Sequence, residues 1–159
     1  MIAPLPLLRQ AGVIPYRVID GKVELLLVTS RGSGRWIIPK GNVGAGSTVI
    51  KAAEAEAFEE AGVRGVIKRD MPLGSYTYLK QLASGDFKPA VVEVYLLRTI
   101  RQAKKWPEKA QRAVAWVSIE QAIARHGEPG LAPLLERLID LEPTLVRGDE
   151  PLSTVRFGS

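Results

Sequence analysis

The chain has 159 residues, of which 46% are apolar and 25% are charged, and it carries a formal net charge of +5 and no cysteine. These values are typical of a soluble single domain with a sizeable core, and the lack of cysteine excludes disulfides, zinc–thiolate sites and thiol catalysis. No segment approaches the roughly 18 apolar residues of a membrane span, and the apolar N-terminus lacks a basic leader. We therefore expect no membrane partner and a cytoplasmic location.

The positive charge is concentrated in the first part of the chain. Residues 1–112 contain 18 basic and 10 acidic side chains, whereas residues 113–159 contain 4 and 7. A basic domain favours an anionic partner, such as a phosphorylated small molecule. Nucleic acid is the alternative, but the sequence shows no helix-turn-helix, finger or aromatic–basic RNA-binding motif, so we expect no nucleic-acid partner.

The first sixty residues predict strands, a glycine-rich loop and one helix. Three strands are predicted, at residues 10–19, 22–29 and 35–39. Asp20-Gly21 is typical of a two-residue hairpin turn between the first two strands. The LLLV run at residues 25–28 indicates burial on both faces of the second strand. The helix is predicted at about residues 48–61, and Gly62 ends it.

The rest of the chain predicts further strands and two closing helices. The strands are predicted at residues 64–68, 73–80, 90–98 and 113–117. Residues 99–112 are predicted to form a basic loop. Strands around one central helix, followed by helices at the end of the chain, are typical of an α+β fold with a mixed sheet.

The two closing helices have local signals of their own. Ser118 and Gln121 form a capping-box pattern that opens a short helix ending near His126. The helix predicted at residues 131–141 has a leucine-rich face. Periodicity fades beyond Glu142, so we expect one domain over residues 1–142 and an extended or disordered tail over residues 143–159.

Three carboxylates share one side of the central helix. At about 100° per residue, Glu56, Glu59 and Glu60 fall within an arc of roughly 100°, whereas Glu54 points nearly the opposite way. Like charges at this spacing destabilise a helix by about 0.2–0.5 kcal/mol per pair, and the helix dipole disfavours anions near the C-terminus. The cluster indicates an external cation, Mg²⁺ or Mn²⁺, because all the ligands are oxygen. A solvated acidic face is the alternative interpretation.

A second motif competes for the loop before the helix. Residues 41–48 (GNVGAGST) nearly match the phosphate-binding pattern G-x-x-x-x-G-K-[ST] and lie between a strand and a helix. The pattern requires lysine where this chain has Ser47, and no later strand ends in the aspartate that binds Mg²⁺ in such proteins. We therefore reject a P-loop nucleotide-binding fold.

The segment from Gly41 to Val63 resembles the Nudix box, G-x5-E-x7-R-E-U-x-E-E-x-G-U, where U is apolar. The matching residues are Gly41, Glu56, Ala57, Glu59, Glu60, Gly62 and Val63. Two positions depart from it, because Ser47 stands where the family has Glu and Ala55 where it has Arg. In the family these two side chains form an ion pair that braces the loop against the helix. Ser47 is predicted here to cap the helix, accepting a hydrogen bond from the N–H of residue 49 or 50.

The resemblance implies a fold and an activity. It implies a mixed sheet between helices, with the loop–helix motif at about residues 41–63, and metal-dependent hydrolysis of a diphosphate linkage. The similarity is greatest to the branch that hydrolyses diphosphoinositol polyphosphates and diadenosine polyphosphates. The residues that suggest this branch are Ser30-Arg31, Arg35-Trp36, Trp106-Pro107-Glu108 and Trp116-Val117-Ser118. Nucleoside diphosphates linked to another group, such as nucleotide sugars, are the other expected substrates.

The resemblance also implies roles for individual residues. Glu56, Glu59, Glu60 and the backbone carbonyl of Lys40 are expected to bind Mg²⁺ or Mn²⁺, and Glu56 and Glu60 to act in catalysis. The general base is left open between Glu60 or Glu56, Glu108 and Glu93. Arg31, Arg35 and Lys40 are expected to bind the substrate phosphates, with Arg17 and Arg112 as weaker candidates.

Other side chains and the assembly state receive weaker expectations. Tyr76, Tyr78 and Trp106 are suited either to stacking on a base or to the core. The lone histidine, His126, is expected to cap a helix and to have no catalytic role. Many Nudix proteins dimerise, so a homodimer is a further expectation. The alternative function is a non-catalytic Nudix module that binds a phosphorylated nucleotide as a sensor or scaffold, because the pair at positions 47 and 55 is missing.

Overall fold

A computed structural model describes residues 7–149, which form an α+β fold. The strands are β1 (Leu8–Ile19), β2 (Lys22–Thr29), β3 (Trp36–Ile37), β4 (Lys40–Asn42), β5 (Val63–Ile67), β6 (Gly74–Gln81), β7 (Phe87–Gln102) and β8 (Val114–Ser118). The helices are α1 (Val49–Ala61), α2 (Ile119–Arg125) and α3 (Ala132–Gly148), and a 3-10 turn at Pro129–Leu131 precedes α3. No helix within this part of the chain has the length and apolar character needed to cross a membrane.

The eight strands form one mixed sheet. Its main order is β3-β2-β1-β7-β5, with β4 beside β1, β6 beside β7 and β8 beside β2. The β1–β7 pair is parallel and the other pairs are antiparallel. The first residues of β1 lie between β4 and β7, and β6 pairs with the same part of β7. β4, which leads into the box loop, and β6 therefore lie on opposite sides of the β1–β7 pair, and the Lys40 side chain reaches the Tyr78 ring across it.

Helices cover both faces of the sheet, which confirms the predicted sandwich. Successive side chains of a strand point to opposite faces. Leu26 and Val28 accordingly pack in the cluster that contains α1, whereas Leu25 and Leu27 pack in the cluster that contains α2 and α3. All four side chains are fully buried, as the LLLV run predicted.

The beginning of α1 differs from the prediction by one residue. Thr48, not Ser47, is the N-cap: its backbone is extended, and its Oγ1 accepts a hydrogen bond from the Lys51 N–H at 3.1 Å. Ser47 is exposed, and among residues 7–149 its hydroxyl bonds only to the Thr48 carbonyl, at 3.5 Å. The end of α1 is as predicted, because Gly62 adopts a left-handed conformation with φ 72° and its N–H bonds to the Phe58 carbonyl.

The last helix is longer than predicted. α3 continues to Gly148, so the expectation of an extended tail is wrong for residues 143–148, and residues 150–159 lie outside the described part. Pro143 lies inside the helix and removes one backbone hydrogen bond. Leu145, in the turn that follows, is 2% exposed and packs in the core. The burial of Leu145 therefore stabilises the last turn of the helix by more than Pro143 destabilises it.

Two strand boundaries also differ from the prediction. The strand predicted at residues 35–39 is shorter, because only Trp36–Ile37 pair with β2 before the chain crosses to β1 and forms β4 at Lys40–Asn42. The predicted strand ends at residue 98, whereas β7 continues to Gln102 because its last residues pair with β5. The basic loop consequently begins after Gln102.

Candidate functional site

A cleft of about 480 Å³ lies where β1, β4, β6 and α1 meet the loops after β2 and before β8. Backbone segments that are far apart in sequence thus contribute to one concave surface. The lining residues are Gln10, Ser30, Arg31, Ile37, Lys40, Gly41, Glu56, Glu59, Glu60, Tyr78, Lys80, Glu108 and Arg112.

α1 brings its three predicted carboxylates to this cleft. Ala53, Ala57 and Ala61 recur every four residues, are fully buried and pack on the sheet. Their small side chains let the helix lie close to the strands, with the glutamates beside this buried stripe. Glu54, on the other side of the helix, is exposed and does not line the cleft.

Gly41 allows the loop to approach the helix closely. A Cβ at this position would overlap the Glu56 carboxylate. A side chain at this position would therefore displace the Glu56 carboxylate from its place in the cleft.

The backbone of Lys40 faces the carboxylates. Lys40 lies opposite Gly12, and Val13 donates to the Pro39 carbonyl at 3.0 Å. In this antiparallel pattern the N–H and C=O of Lys40 both point away from β1. Its N–H donates to Glu60 Oε1 at 3.3 Å. The carbonyl predicted as a metal ligand therefore points to the same side as Glu60.

The side chain of Lys40 is already paired. Its Nζ lies 2.6 Å from Glu128 Oε1 and 5.1 Å from the centre of the Tyr78 ring, and both charged side chains are about nine-tenths buried. The ammonium is therefore largely neutralised within the protein. Lys40 lines the cleft as predicted, but it contributes less free positive charge than the sequence suggested.

Burial makes two of the carboxylates weak acids. Burial raises the pKa of Glu60 to about 8, while the Arg112 guanidinium opposes this shift and the neighbouring Glu56 adds to it. Burial also raises the pKa of Glu56, which is lowered in turn by a hydrogen bond from Glu60. Glu56 and Glu60 are thus close neighbours that share a site with little solvent.

The carboxylates are not yet gathered as a complete ligand set. Among residues 7–149, no three acidic or histidine side chains converge on one metal-sized position. Glu56 and Glu60 are adjacent, and Glu59 is exposed on the same cleft. The donors are all oxygen, which suits Mg²⁺ or Mn²⁺.

The loop before β8 adds a fourth carboxylate to the cleft. Glu108 is held to the helix by its backbone, because its N–H donates to the Glu59 carbonyl at 3.0 Å. Its Oε1 accepts from Arg112 Nε at 2.9 Å. Arg112 also lies 3.4 Å from Glu60 Oε2. Arg112, a weaker candidate for phosphate binding, is therefore committed to protein carboxylates.

Two other cations line the cleft without an acidic partner. Within residues 7–149, neither Arg31 nor Lys80 forms an ion pair, and the only side-chain partner of Arg31 is Gln111 at 3.2 Å. Lys80 was not predicted from the sequence, although alternation along β6 places it on the same face as Tyr76 and Tyr78.

Arg35 lies beside the cleft and not in it. It lines a neighbouring cavity of about 360 Å³, and its Nη1 donates to the Gly127 carbonyl at 2.8 Å. The two cavities share Ser30, Ile37, Lys40 and Tyr78. Glu128, also absent from the prediction, forms part of the second cavity. It follows a short helix and is 88 residues from Lys40, so no local pattern could indicate the pair.

Several weaker candidates lie elsewhere. Glu93 pairs with Arg9 at 3.3 Å and does not line the cleft, so it is not placed to act as the base. Arg17 pairs with Glu24 and stacks on Trp116. Tyr76 is buried in the core, whereas Tyr78 lines the cleft and donates to Gln10 Oε1 at 2.7 Å.

Trp106, the last of the stacking candidates, and His126 both lie at helix ends and do not line the cleft. Trp106 covers Gly62 at the end of α1, where a Cβ would overlap its ring. His126 is the C-cap residue of α2, as predicted, and its N–H bonds to the Ala122 carbonyl at 3.0 Å.

Comparison with known proteins agrees with this fold. The NUDIX domain family model matches residues 8–138. The chain is 33% identical over 138 residues to Nudix hydrolase 16, mitochondrial, of Arabidopsis thaliana, which covers 79% of this chain and 76% of that protein. It is 29% identical over 129 residues to Nudix hydrolase 12, mitochondrial, of the same plant, covering 71% and 63%.

A solved structure, the C. elegans Ap4A hydrolase binary complex, superposes with a TM-score of 0.64 at 26% identity and covers 85% of this chain and 97% of that one. These similarities define a hydrolase that acts on phosphoanhydride bonds. This chain belongs to the Nudix family.

Proposed function

We propose that the chain is a metal-dependent pyrophosphohydrolase that cleaves a diphosphate linkage within a dinucleoside polyphosphate. One observation carries the proposal: a single cleft contains four carboxylates, Glu56, Glu59, Glu60 and Glu108, together with the cations Arg31 and Lys80. Carboxylates can hold divalent cations, and free basic groups can bind phosphate oxygens.

Glu56, Glu59, Glu60 and the Lys40 carbonyl would hold Mg²⁺ or Mn²⁺. The bound ion would neutralise charge on the phosphate oxygens and orient water for attack on phosphorus. The contact between Gly41 and Glu56 supports this assignment, because the loop and helix meet with no intervening side chain. Glu59 is exposed and free to turn toward the buried pair.

Glu108 is the best-placed general base. Arg112 holds one oxygen of its carboxylate, which leaves the other free to accept a proton from water. Glu60 is less suited to this task, because it is assigned to the metal and its Oε2 lies 3.4 Å from the Arg112 guanidinium. The water oxygen bonds to phosphorus, its proton passes to Glu108, and the bridging P–O bond breaks with its electron pair on the leaving phosphate.

The choice of substrate rests on similarity and charge. Arg31 and Lys80 would bind phosphates beyond the cleaved bond, and the Ap4A hydrolase similarity favours a dinucleoside polyphosphate. Nucleoside diphosphates linked to another group and diphosphoinositol polyphosphates are the alternatives. The cytoplasmic location and the homodimer remain predictions.

The test is product release from a panel of these compounds with Mg²⁺, with Mn²⁺ and with chelator. We expect turnover of dinucleoside polyphosphates that chelator abolishes. Replacing Glu59 and Glu60 with Gln should lower kcat by about 100-fold or more, whereas Glu54→Gln on the opposite side of α1 should not. Unchanged turnover in the double variant, or turnover with chelator, would contradict the proposal.

A second candidate function is a binding module without turnover. It is favoured by Ser47 and Ala55, which are exposed and replace the ion pair of the family box. Equilibrium binding of the same panel separates the two functions. Tight metal-dependent binding with no product release would support the module.

A further inference from the structure

Arg112 joins three separate elements around the cleft. Its Nε donates to Glu108 Oε1 at 2.9 Å, its Nη1 donates to the Thr29 carbonyl at 2.9 Å, and its Nη2 lies 3.4 Å from Glu60 Oε2. The side chain is only 8% exposed. The end of β2, the C-terminal half of α1 and the loop before β8 thus meet at one guanidinium.

The rest of this loop is held through its backbone. Ala103 donates to the Gly62 carbonyl at 2.8 Å, and Glu108 donates to the Glu59 carbonyl at 3.0 Å. These bonds hold the loop backbone at two points, but they leave the Glu108 side chain free to rotate. In the part of the chain that the structure describes, Arg112 is the only hydrogen-bond partner of that carboxylate.

The opposite side of α1 lacks comparable support. Ser47 and Ala55 are exposed, and the single side-chain bond of Ser47, at 3.5 Å, stays within its own loop. No ion pair among residues 7–149 connects the box loop to the exposed face of α1.

We propose that Arg112 is a positioning residue that supplies the bracing missing from the box. It fixes the Glu108 carboxylate in the cleft and holds it at a set distance from Glu60. A planar guanidinium with donors in three directions can satisfy all three partners together, whereas a lysine ammonium on a single flexible stem cannot. This inference rests on the proposed function, because it assigns Arg112 to the geometry of the hydrolytic site.

The primary test compares Arg112→Lys with Arg17→Lys, a matched change at an arginine outside the cleft. We expect Arg112→Lys to lower kcat by about 100-fold, with KM within about threefold, because a displaced catalytic group slows the chemical step. Arg17→Lys should retain the parental kcat. Increased KM at unchanged kcat would instead identify Arg112 as a phosphate-binding residue and overturn the inference.

Two rescue experiments separate positioning from general stability. Ethylguanidinium should restore activity to Arg112→Ala by at least about tenfold, whereas ethylammonium should not, because only the former reproduces the planar donor set. Restoring the family pair with Ser47→Glu and Ala55→Arg should partly recover kcat in Arg112→Lys and change the parent little. Failure of both rescues would assign Arg112 to fold stability alone.

Amide hydrogen exchange distinguishes a failure of this inference from a failure of the proposed function. Because Arg112 also ties the loop to the Thr29 carbonyl at the end of β2, Arg112→Lys should accelerate exchange at the Glu108 amide, while the amides of α3 keep their protection. Failure of the proposed function would appear as no turnover by the parent protein with any compound. Failure of the inference would appear as unchanged exchange at Glu108 or unchanged kcat.

Discussion

The two ends of α1 are held in different ways. At the N-terminal end, residues 44–48 are all exposed, and the helix is secured by its Thr48 cap. At the C-terminal end, Gly62 is buried beneath Trp106 and the loop before β8 makes two backbone hydrogen bonds to the helix and its cap. The comparison supports the inference that contacts at the C-terminal end of α1 replace the ion pair that is missing from the box.

The largest expected effect comes from a side chain at Gly41 of β4 that displaces Glu56 of α1. Gly41→Ala introduces a Cβ into the Glu56 carboxylate, and Glu56 must move. We expect kcat to fall by about 100-fold, since small displacements in a site have effects of this size. Gly44→Ala is the matched control, because nothing lies within 4 Å of a Cβ there. Equal activities of the two variants, measured by product release, would contradict the role of Gly41.

The C-terminal end of α1 contains a buried carboxylate, Glu60, that lowers the stability of the folded state by an amount that varies with pH. Burial raises the pKa of Glu60 from 4.5 to about 8, so between these values the folded state binds more protons than the unfolded state. Stability is therefore greatest below about pH 4.5 for this group and falls as pH rises through 8, by at most about 1.4 kcal/mol per pH unit.

Denaturant unfolding in chelator across this pH window measures the effect. Glu60→Gln should flatten the pH dependence and raise the stability at pH 8, because it keeps the volume without the charge. Glu54→Gln, which changes an exposed carboxylate, should keep the slope of the parent. A slope that Glu60→Gln leaves intact would assign the pH dependence to another group.

Gly62→Ala tests the contact between α1 and the following loop. Gly62 has φ 72°, and a Cβ would also overlap Trp106. Strain in the left-handed region costs about 1–2 kcal/mol, and displacing Trp106 adds to it. Gly21→Ala has the same backbone strain, with φ 74° and no atom within 4 Å. We expect Gly62→Ala to lose more unfolding free energy than Gly21→Ala, and equal losses would mean that the Trp106 packing contributes little.

Local signals in the sequence were sufficient for most of the fold. The alternation in β2, the glycine that ends α1 and the capping box of α2 act over a few residues, and each was confirmed. The continuation of α3 through Pro143 was not predictable in this way, because the burial of Leu145 depends on the assembled core.

The same difference between local and long-range signals applies to the site. Carboxylates on one helix face can be found by periodicity, and all three line the cleft. Periodicity cannot identify the partners of the cations, because Lys40 and Glu128 are 88 residues apart in the sequence, and Arg112 and Thr29 are 83 residues apart. The sequence therefore identified Arg31 and Lys40 as residues of the cleft, but it missed Lys80 and could not show that Glu128 neutralises Lys40.

The smallest expected effect concerns the exposed end of α1, where two neighbouring hydroxyls compete for one role. Thr48→Ala removes the acceptor of the Lys51 N–H and should cost about 1 kcal/mol of unfolding free energy. Ser47→Ala removes only a long contact to the Thr48 carbonyl and should change stability by less than about 0.5 kcal/mol. Chemical denaturation of the two variants resolves this difference. A larger loss for Ser47→Ala would move the cap back by one residue and would indicate that the box loop supports α1 more than its exposure suggests.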